Sequence, residues 1–317
     1  MNDHDPDPEG SPVATLLSGR YRLVSLLGSG GMADVYLAED ERLGRPVAVK
    51  VLKARLAADD EFRERFRIEA RAAASLKHPG IVAVYDRGTA DGVPYIAMEY
   101  VRGESLRQRL RRDGGLPPEE AVAVALDVLS ALAAAHGRSI VHRDVTSYNV
   151  LLEEGGRVVV TDFGIARMGD SALTRTGAMM GTSSYLSPEQ AQGRPADERS
   201  DLYSLGVVLF EMLTGRVPFR GDTDVAVAVQ HISCAPPNPR SLAPGVSEAL
   251  AAVAMRALSK DPADRYQTAE EFAAALRRAR RPKRAADDGV TAAGALATPD
   301  AVVGAGAAGA GVLAAAG

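Results

Sequence analysis

Tryptophan is absent, phenylalanine and tyrosine are few, and a single cysteine, Cys234, stands among 317 residues. One thiol cannot build an internal disulfide framework and fits a reducing compartment; a small apolar filler is the default reading of such a residue. Lysine is scarce as well, with only Lys50, Lys53, Lys77, Lys260 and Lys283 among 37 basic residues. Where arginine is the ordinary cation, a lysine followed by helix chemistry marks a place a guanidinium does not fit. The net charge of -4 leaves no overall basic footprint for nucleic acid. Neither zinc-ligand spacing, nor an internal repeat, nor a signal peptide is recognisable.

What is present suffices for a sizeable core: 46% of residues are hydrophobic and 25% charged, the balance of one large domain or two lobes. Residues 1–18 are polar, acidic and rich in Pro and Gly, which predicts a disordered arm. The runs Tyr21 to Leu27, Val35 to Glu39 and Pro46 to Leu52, separated by glycine-bearing turns, predict an antiparallel meander. Asp59 to Leu76 then takes helical periodicity, and Ile81 to Tyr85 and Tyr95 to Tyr100 return to strand character. The expected result is a small lobe over residues 19–100, of five strands and one helix.

Helices dominate the larger lobe expected over residues 101–280. Pro117, Pro118, Glu119 and Glu120 open a helix that runs to about His136, with proline in its first turn and acids at the positive dipole end. Asp201 to Thr214 is almost wholly apolar and predicts a buried helix closed by Gly215. Further helices are expected over roughly Asp222 to Ile232, Ser247 to Leu258 and Thr268 to Arg278. The tail, 281–317, changes character: Arg277 to Arg284 carries six basic residues, and Ala301 to Gly317 is an uncharged Ala/Gly/Val run. Seventeen such residues sit at the lower limit for spanning a bilayer and supply little apolar driving force, so a flexible low-complexity tail is the favoured reading and a weak transmembrane segment the alternative. Cytoplasmic location is expected, with membrane association through the tail as its variant.

The chemistry is concentrated in a few loops. Leu27-Gly28-Ser29-Gly30-Gly31-Met32-Ala33-Asp34-Val35 lies between two predicted strands, where glycines let backbone N–H groups approach phosphate oxygens. A plain hairpin turn is the bland alternative, and the strand-loop-strand context argues against a dinucleotide fold. Val47-Ala48-Val49-Lys50 puts a cation on the next strand, beneath that loop, to hold nucleotide phosphates, and Glu69 on the following helix is its partner. Further on, Val141-His142-Arg143-Asp144 is followed by Asn149 and, thirteen residues later, by Asp162-Phe163-Gly164. Asp144 suits a base that accepts a hydroxyl proton. Asn149 and Asp162 suit the few oxygen ligands that Mg²⁺ needs beside phosphate oxygens, with Mn²⁺ the other candidate. Each alone could be a turn-capping residue; the fixed order points to phosphoryl transfer from Mg-ATP.

On these residues the chain, from about Tyr21 to Arg278, resembles a protein kinase, specifically a bacterial serine/threonine kinase of the eukaryotic-like (Hanks) type with actinobacterial character. Ser187-Pro188-Glu189, Gly181-Thr182 to Tyr185-Leu186, Asp201-Leu202-Tyr203-Ser204-Leu205-Gly206 and Asp264-Arg265 belong to the same resemblance. It implies an α+β bilobal fold with an antiparallel-sheet N-lobe and a helical C-lobe. It implies that Met98 is the gatekeeper, Glu99 to Val101 the adenine-binding hinge, and Val35, Ala48 and Leu151 the apolar walls around adenine. It makes Glu189 and Arg265 a buried ion pair and Asp201 a brace for the catalytic loop. Protein substrates bearing Ser or Thr are the implied partners, with a homodimer for autophosphorylation.

Three departures matter. Ala33 replaces the third loop glycine, Thr146 stands where most serine/threonine members carry a lysine that contacts the transferred phosphate, and Ser147 replaces the usual proline. An active enzyme is favoured, because positioning and metal electrostatics supply most of the catalysis. The alternatives are a weakly active or pseudokinase-like nucleotide-binding scaffold and a small-molecule phosphotransferase. Thr174 and Thr176, in the loop between Asp162 and Glu189, are candidate autophosphorylation sites whose phosphate could pair with Arg143.

Overall fold

The computed structural model describes residues 16–163 and 182–280. Strands β1 (Leu16–Leu17), β2 (Tyr21–Ser29), β3 (Ala33–Asp40), β4 (Arg45–Leu52), β5 (Val84–Ala90) and β6 (Val93–Glu99) form one antiparallel sheet in the order β1-β2-β3-β4-β6-β5. Leu16–Leu17, read from sequence as part of the arm, is a strand because Leu17 packs against the buried Tyr21, Val47, Val49 and Tyr95. Side chains alternate across a strand, so β4 serves two purposes. Val47 and Val49 fill the outer cluster, while Ala48 faces the apolar group around Met98 and Val101, and Lys50 follows it on that face.

Between sheet strands lie α1 (Ala54–Ala57) and α2 (Asp60–Ser75). The Asp59 side chain caps α2 by accepting from the Glu61 N–H, and Asp60 and Glu61 complement the dipole of its first turn. Phe66, Glu69 and Ala70 are its buried residues, at i, i+3 and i+4, so one stripe faces the sheet. Phe66 and Ala70 join Ala33, Leu52 and Ile96 in a core, and the same stripe carries Glu69 inward. The β5–β6 hairpin turns on Asp91-Gly92, both at positive φ, as a two-residue turn requires. The strand expected from Ile81 begins only at Val84; Ile81 itself makes one parallel bridge to Val160.

The larger lobe holds β7 (Gly103–Ser105), α3 (Leu106–Asp113), α4 (Pro118–His136), β8 (Val150–Glu153), β9 (Val158–Val160), α5 (Pro188–Ala191), α6 (Glu198–Thr214), α7 (Asp224–Ser233), α8 (Glu248–Ala257) and α9 (Ala269–Arg280). β7, β8 and β9 pair as a small second sheet. Every residue of α6 from Ser200 to Leu213 is buried, the mark of a helix surrounded on all sides. Gly206 allows this: a Cβ there would lie 2.8 Å from that of Ala257 on α8. At its end Gly215, at φ 73°, closes the helix in the left-handed region with its N–H on the Glu211 carbonyl. No described helix is long and apolar enough to cross a membrane.

Candidate active site

Lys50 emerges from β4 into the cleft and meets two carboxylates. Its Nζ lies 2.6 Å from Glu69 Oε1 and 2.8 Å from Asp162 Oδ1. Burial alone would push the ammonium down, but Asp162 and Glu69 more than offset this and raise it, so it stays charged. Burial pushes the Glu69 carboxyl up, with Lys50 pulling against it. Met98, Ile96, Val82 and Phe163 line a partly open pocket together with this triad.

Asp162 is held at φ 57° and Arg143 at φ 66°, left-handed conformations that cost a non-glycine residue energy and persist only where neighbours over-determine them. The neighbours are visible. Asp201, buried on α6, accepts from the backbone N–H groups of His142 (2.8 Å) and Arg143 (2.7 Å) and bonds His136 Nε2 (2.8 Å). His142 Nε2 bonds the Thr161 carbonyl at 3.1 Å, and its ring lies 4.4 Å from that of Phe163. Asp201 thus fixes the loop before Asp144, and His142 fixes the segment before Asp162.

Asn149 donates from Nδ2 to the Asp144 carbonyl (2.8 Å) and to Asp144 Oδ2 (3.1 Å). With both amide hydrogens on Asp144, the orientation of the amide is fixed and its carbonyl Oδ1 is the atom left to ligate a cation. Thr146 is buried, and its Oγ1 accepts from the N–H groups of Tyr148 (3.2 Å) and Asn149 (3.3 Å). The hydroxyl therefore shapes the turn that presents Asn149, a use to which an ammonium could not be put.

Ala48, Met98, Val101, Val82 and Val159 form one apolar cluster, with Val35, Tyr100 and Leu151 packed against it. All the expected adenine-wall residues meet there, and Val82 and Val159 join them. Nothing marked these two from sequence beyond their place in short apolar runs. Glu99 contributes differently: its side chain pairs with Arg157 and accepts from the Ala83 N–H, so it is committed to the protein. Gly28 pairs with Val35 and Ser29 with Asp34 across the loop, and a Cβ on Gly28 would meet open space. Leu27, on the same strand, is exposed. Gly30 N–H closes the turn on the Ala33 carbonyl at 2.9 Å, with Gly31 inside it. Gly164, Thr174, Thr176 and Gly181 lie outside the described residues.

Behind the site, Glu189 and Arg265 form a two-pronged ion pair at 2.8 Å per prong, with Arg265 fully buried. The site lies in a cleft between the sheet lobe and the helical lobe. A family model of the protein kinase domain matches residues 21–275. Serine/threonine-protein kinase PrkC of Bacillus subtilis is 45% identical over 268 residues, 84% of this chain and 41% of the relative. Serine/threonine-protein kinase PknB of Mycobacterium tuberculosis is 51% identical over 267 residues, 82% of this chain and 43% of the relative. The crystal structure of the Mycobacterium tuberculosis PknI kinase domain superposes with a TM-score of 0.68 at 34% identity, covering 85% of this chain and all of that one. The chain belongs to the protein kinase family, in its bacterial serine/threonine branch. It spans about two fifths of the length of the curated relatives it matches.

Proposed function

We propose that this chain transfers the γ-phosphate of ATP to serine and threonine hydroxyls of proteins, itself included. The observation that carries the proposal is Lys50 bound to Glu69 and Asp162 at once, because it draws strand, helix and metal-ligand loop into one charge cluster. In this reading Lys50 holds the nucleotide phosphates while the turn from Leu27 to Gly31 covers them. Val35, Ala48, Met98, Val101 and Leu151 enclose adenine, and the Glu99 to Val101 backbone meets its edge. Asp144 Oδ2 accepts the proton of the attacking hydroxyl, oriented by Asn149. The Asn149 and Asp162 oxygens suit Mg²⁺, or Mn²⁺, which when bound neutralises charge on the phosphates.

Activation by autophosphorylation at Thr174 or Thr176 is supported by Arg143, whose buried Nη1 has no hydrogen-bond partner among the described residues. A homodimer would let one copy phosphorylate another, which makes the autophosphorylation rate per molecule rise with protein concentration. The tail over residues 281–317 lies outside the described residues; partition of a tail–reporter fusion into membranes would support anchoring through it. The deciding experiment is phosphate incorporation from Mg-ATP by residues 1–284, beside Lys50→Met and Asp144→Asn, with sites mapped by mass spectrometry. Incorporation lost in both variants is expected. No incorporation by the unaltered protein despite ATP binding would move the reading to a scaffold, and activity without modified Thr174 or Thr176 would remove the activation step.

A further inference from the structure

Ser147 and Tyr185 are joined at 2.8 Å between hydroxyls, in a fully buried setting. The direction of the bond follows from what comes next. Tyr185 Oη donates to Glu211 Oε2 at 2.6 Å, so its only proton is used and it accepts from Ser147 Oγ. Glu211 Oε1 receives Arg107 Nη1 at 2.5 Å, and the Arg107 N–H returns to the Ser147 carbonyl at 2.8 Å. Four elements are therefore closed into one ring: the catalytic loop, the segment after residue 182, α6 and α3. Burial and the Glu211 carboxylate raise the Tyr185 phenol, which keeps it protonated as a donor.

The Ser147 hydroxyl is the dispensable member of this ring. Without it Tyr185 remains held by Glu211, and α3 remains held to the catalytic loop through backbone. What would be lost is the direct tie between that loop and Tyr185. A second tie lies on the other side of Asp144, where Gln190 Nε2 donates to the Arg143 carbonyl at 2.8 Å. Tyr185 and Gln190 belong to one short stretch, so Asp144 is straddled by two hydrogen bonds to the same segment. Proline, which the resemblance leads one to expect at 147, has no hydroxyl and cannot form the first of them. The neighbouring Thr146 likewise lacks the expected charge, which increases the demand on geometry.

We propose that Ser147 is a positioning residue which, through Tyr185, holds the segment bearing the protein substrate in register with the loop bearing Asp144. The proposal rests on the kinase reading, in which the family resemblance implies that the Gly181 to Glu189 segment forms the shelf for the protein substrate. A misplacement of the acceptor lowers transfer to protein but leaves the nucleotide site alone. The consequence is a split between acceptors rather than a general loss.

The test compares Ser147→Ala and the equal-sized pair Ser147→Thr and Ser147→Val, each with and without Tyr185→Phe. Steady-state transfer to myelin basic protein is measured beside substrate-free ATP hydrolysis and the KM for ATP. Loss of one buried neutral hydrogen bond predicts a fall of about three- to tenfold in kcat/KM for the protein substrate in Ser147→Ala. ATP hydrolysis and the ATP KM are expected within twofold of wild type, Ser147→Thr should outperform Ser147→Val, and Ser147→Ala should add nothing once Tyr185 is Phe. Hydrogen exchange of the 185–187 amides should be faster in Ser147→Ala. Equal losses with water and protein acceptors, a full Ser147→Ala effect in the Tyr185→Phe background, or unchanged exchange would overturn the proposal. A wild type that transfers no phosphate would instead refute the kinase reading, and the exchange measurement would still decide the tie.

Discussion

Removing either partner of the Glu189–Arg265 pair should cost a large share of the protein's stability, whereas removing both should cost little more. Arg265 is fully buried and donates to five oxygens: both of Glu189, and the carbonyls of Ser259 (2.8 Å), Lys260 (2.9 Å) and Arg199 (3.2 Å). Glu189 also accepts from Ser200 Oγ at 2.5 Å. Burial alone would push the Glu189 carboxyl up, but Arg265 outweighs it and holds the group below the usual carboxylate range. Breaking a buried pair from one side costs about 3–5 kcal/mol, because the remaining charge has no compensation. Against a typical total of about 5–15 kcal/mol, that is a large share. With a urea slope of about 3 kcal/mol per M, Arg265→Met or Glu189→Leu should lower the midpoint by roughly 1–1.7 M. The chain has no tryptophan, so the transition is best followed by circular dichroism at 222 nm. The double variant should lie close to either single one, since the second substitution removes the stranded charge. A double variant destabilised by the sum of the two would refute the reasoning, as would singles within about 0.3 M of wild type.

Asp201→Asn should lower kcat by roughly a hundredfold with the ATP KM within threefold, since an amide supplies one acceptor oxygen where three donors now converge; retained turnover would show that the Arg143 conformation holds itself. Thr146→Lys should give no gain in turnover, because it deletes the acceptor of two backbone N–H groups; a tenfold gain would show that the missing charge limits the natural enzyme. His231, buried between Tyr203 Oη (2.9 Å) and the Ser184 carbonyl (3.0 Å), is pushed down to about 3 by burial, aided by Lys260. The unfolded chain binds that proton near pH 6.5 and the folded protein refuses it until about pH 3, so stability should fall as pH drops through this window, by up to about 1.4 kcal/mol per unit. Urea midpoints at pH 7 and 5 should differ less in His231→Gln than in wild type; equal differences would refute this.

Much of the fold could be read from periodicity. α2, α4, α6 and the strands from Tyr21 to Leu52 lie within a few residues of expectation: α2 and the strands carry one period, α4 opens on prolines and acids, and α6 is an apolar run closed by Gly215. α3 was not marked: Leu106–Asp113 is arginine-rich, with only Leu106 and Leu110 buried, and its start depends on the reciprocal Ser105–Gln108 cap. β7, β8 and β9 have four residues or fewer, too few for alternation to register. In the site, Lys50, Glu69, Asp144, Asn149 and Asp162 converge because order along a chain of fixed motifs transmits to space. Arg157, which takes up the Glu99 side chain, and the Ser147–Tyr185 tie depend on partners 58 and 38 residues away, and no local pattern carries such pairs.

The Lys50 cluster also sets terms for what enters the cleft. One ammonium faces two carboxylates, Glu69 and Asp162, and holds both at hydrogen-bond distance. In the kinase reading, a triphosphate that reaches Lys50 must therefore share that ammonium with two carboxylates. A divalent cation that offsets charge on the phosphates would ease that sharing. Chelation should weaken nucleotide binding itself, not only turnover.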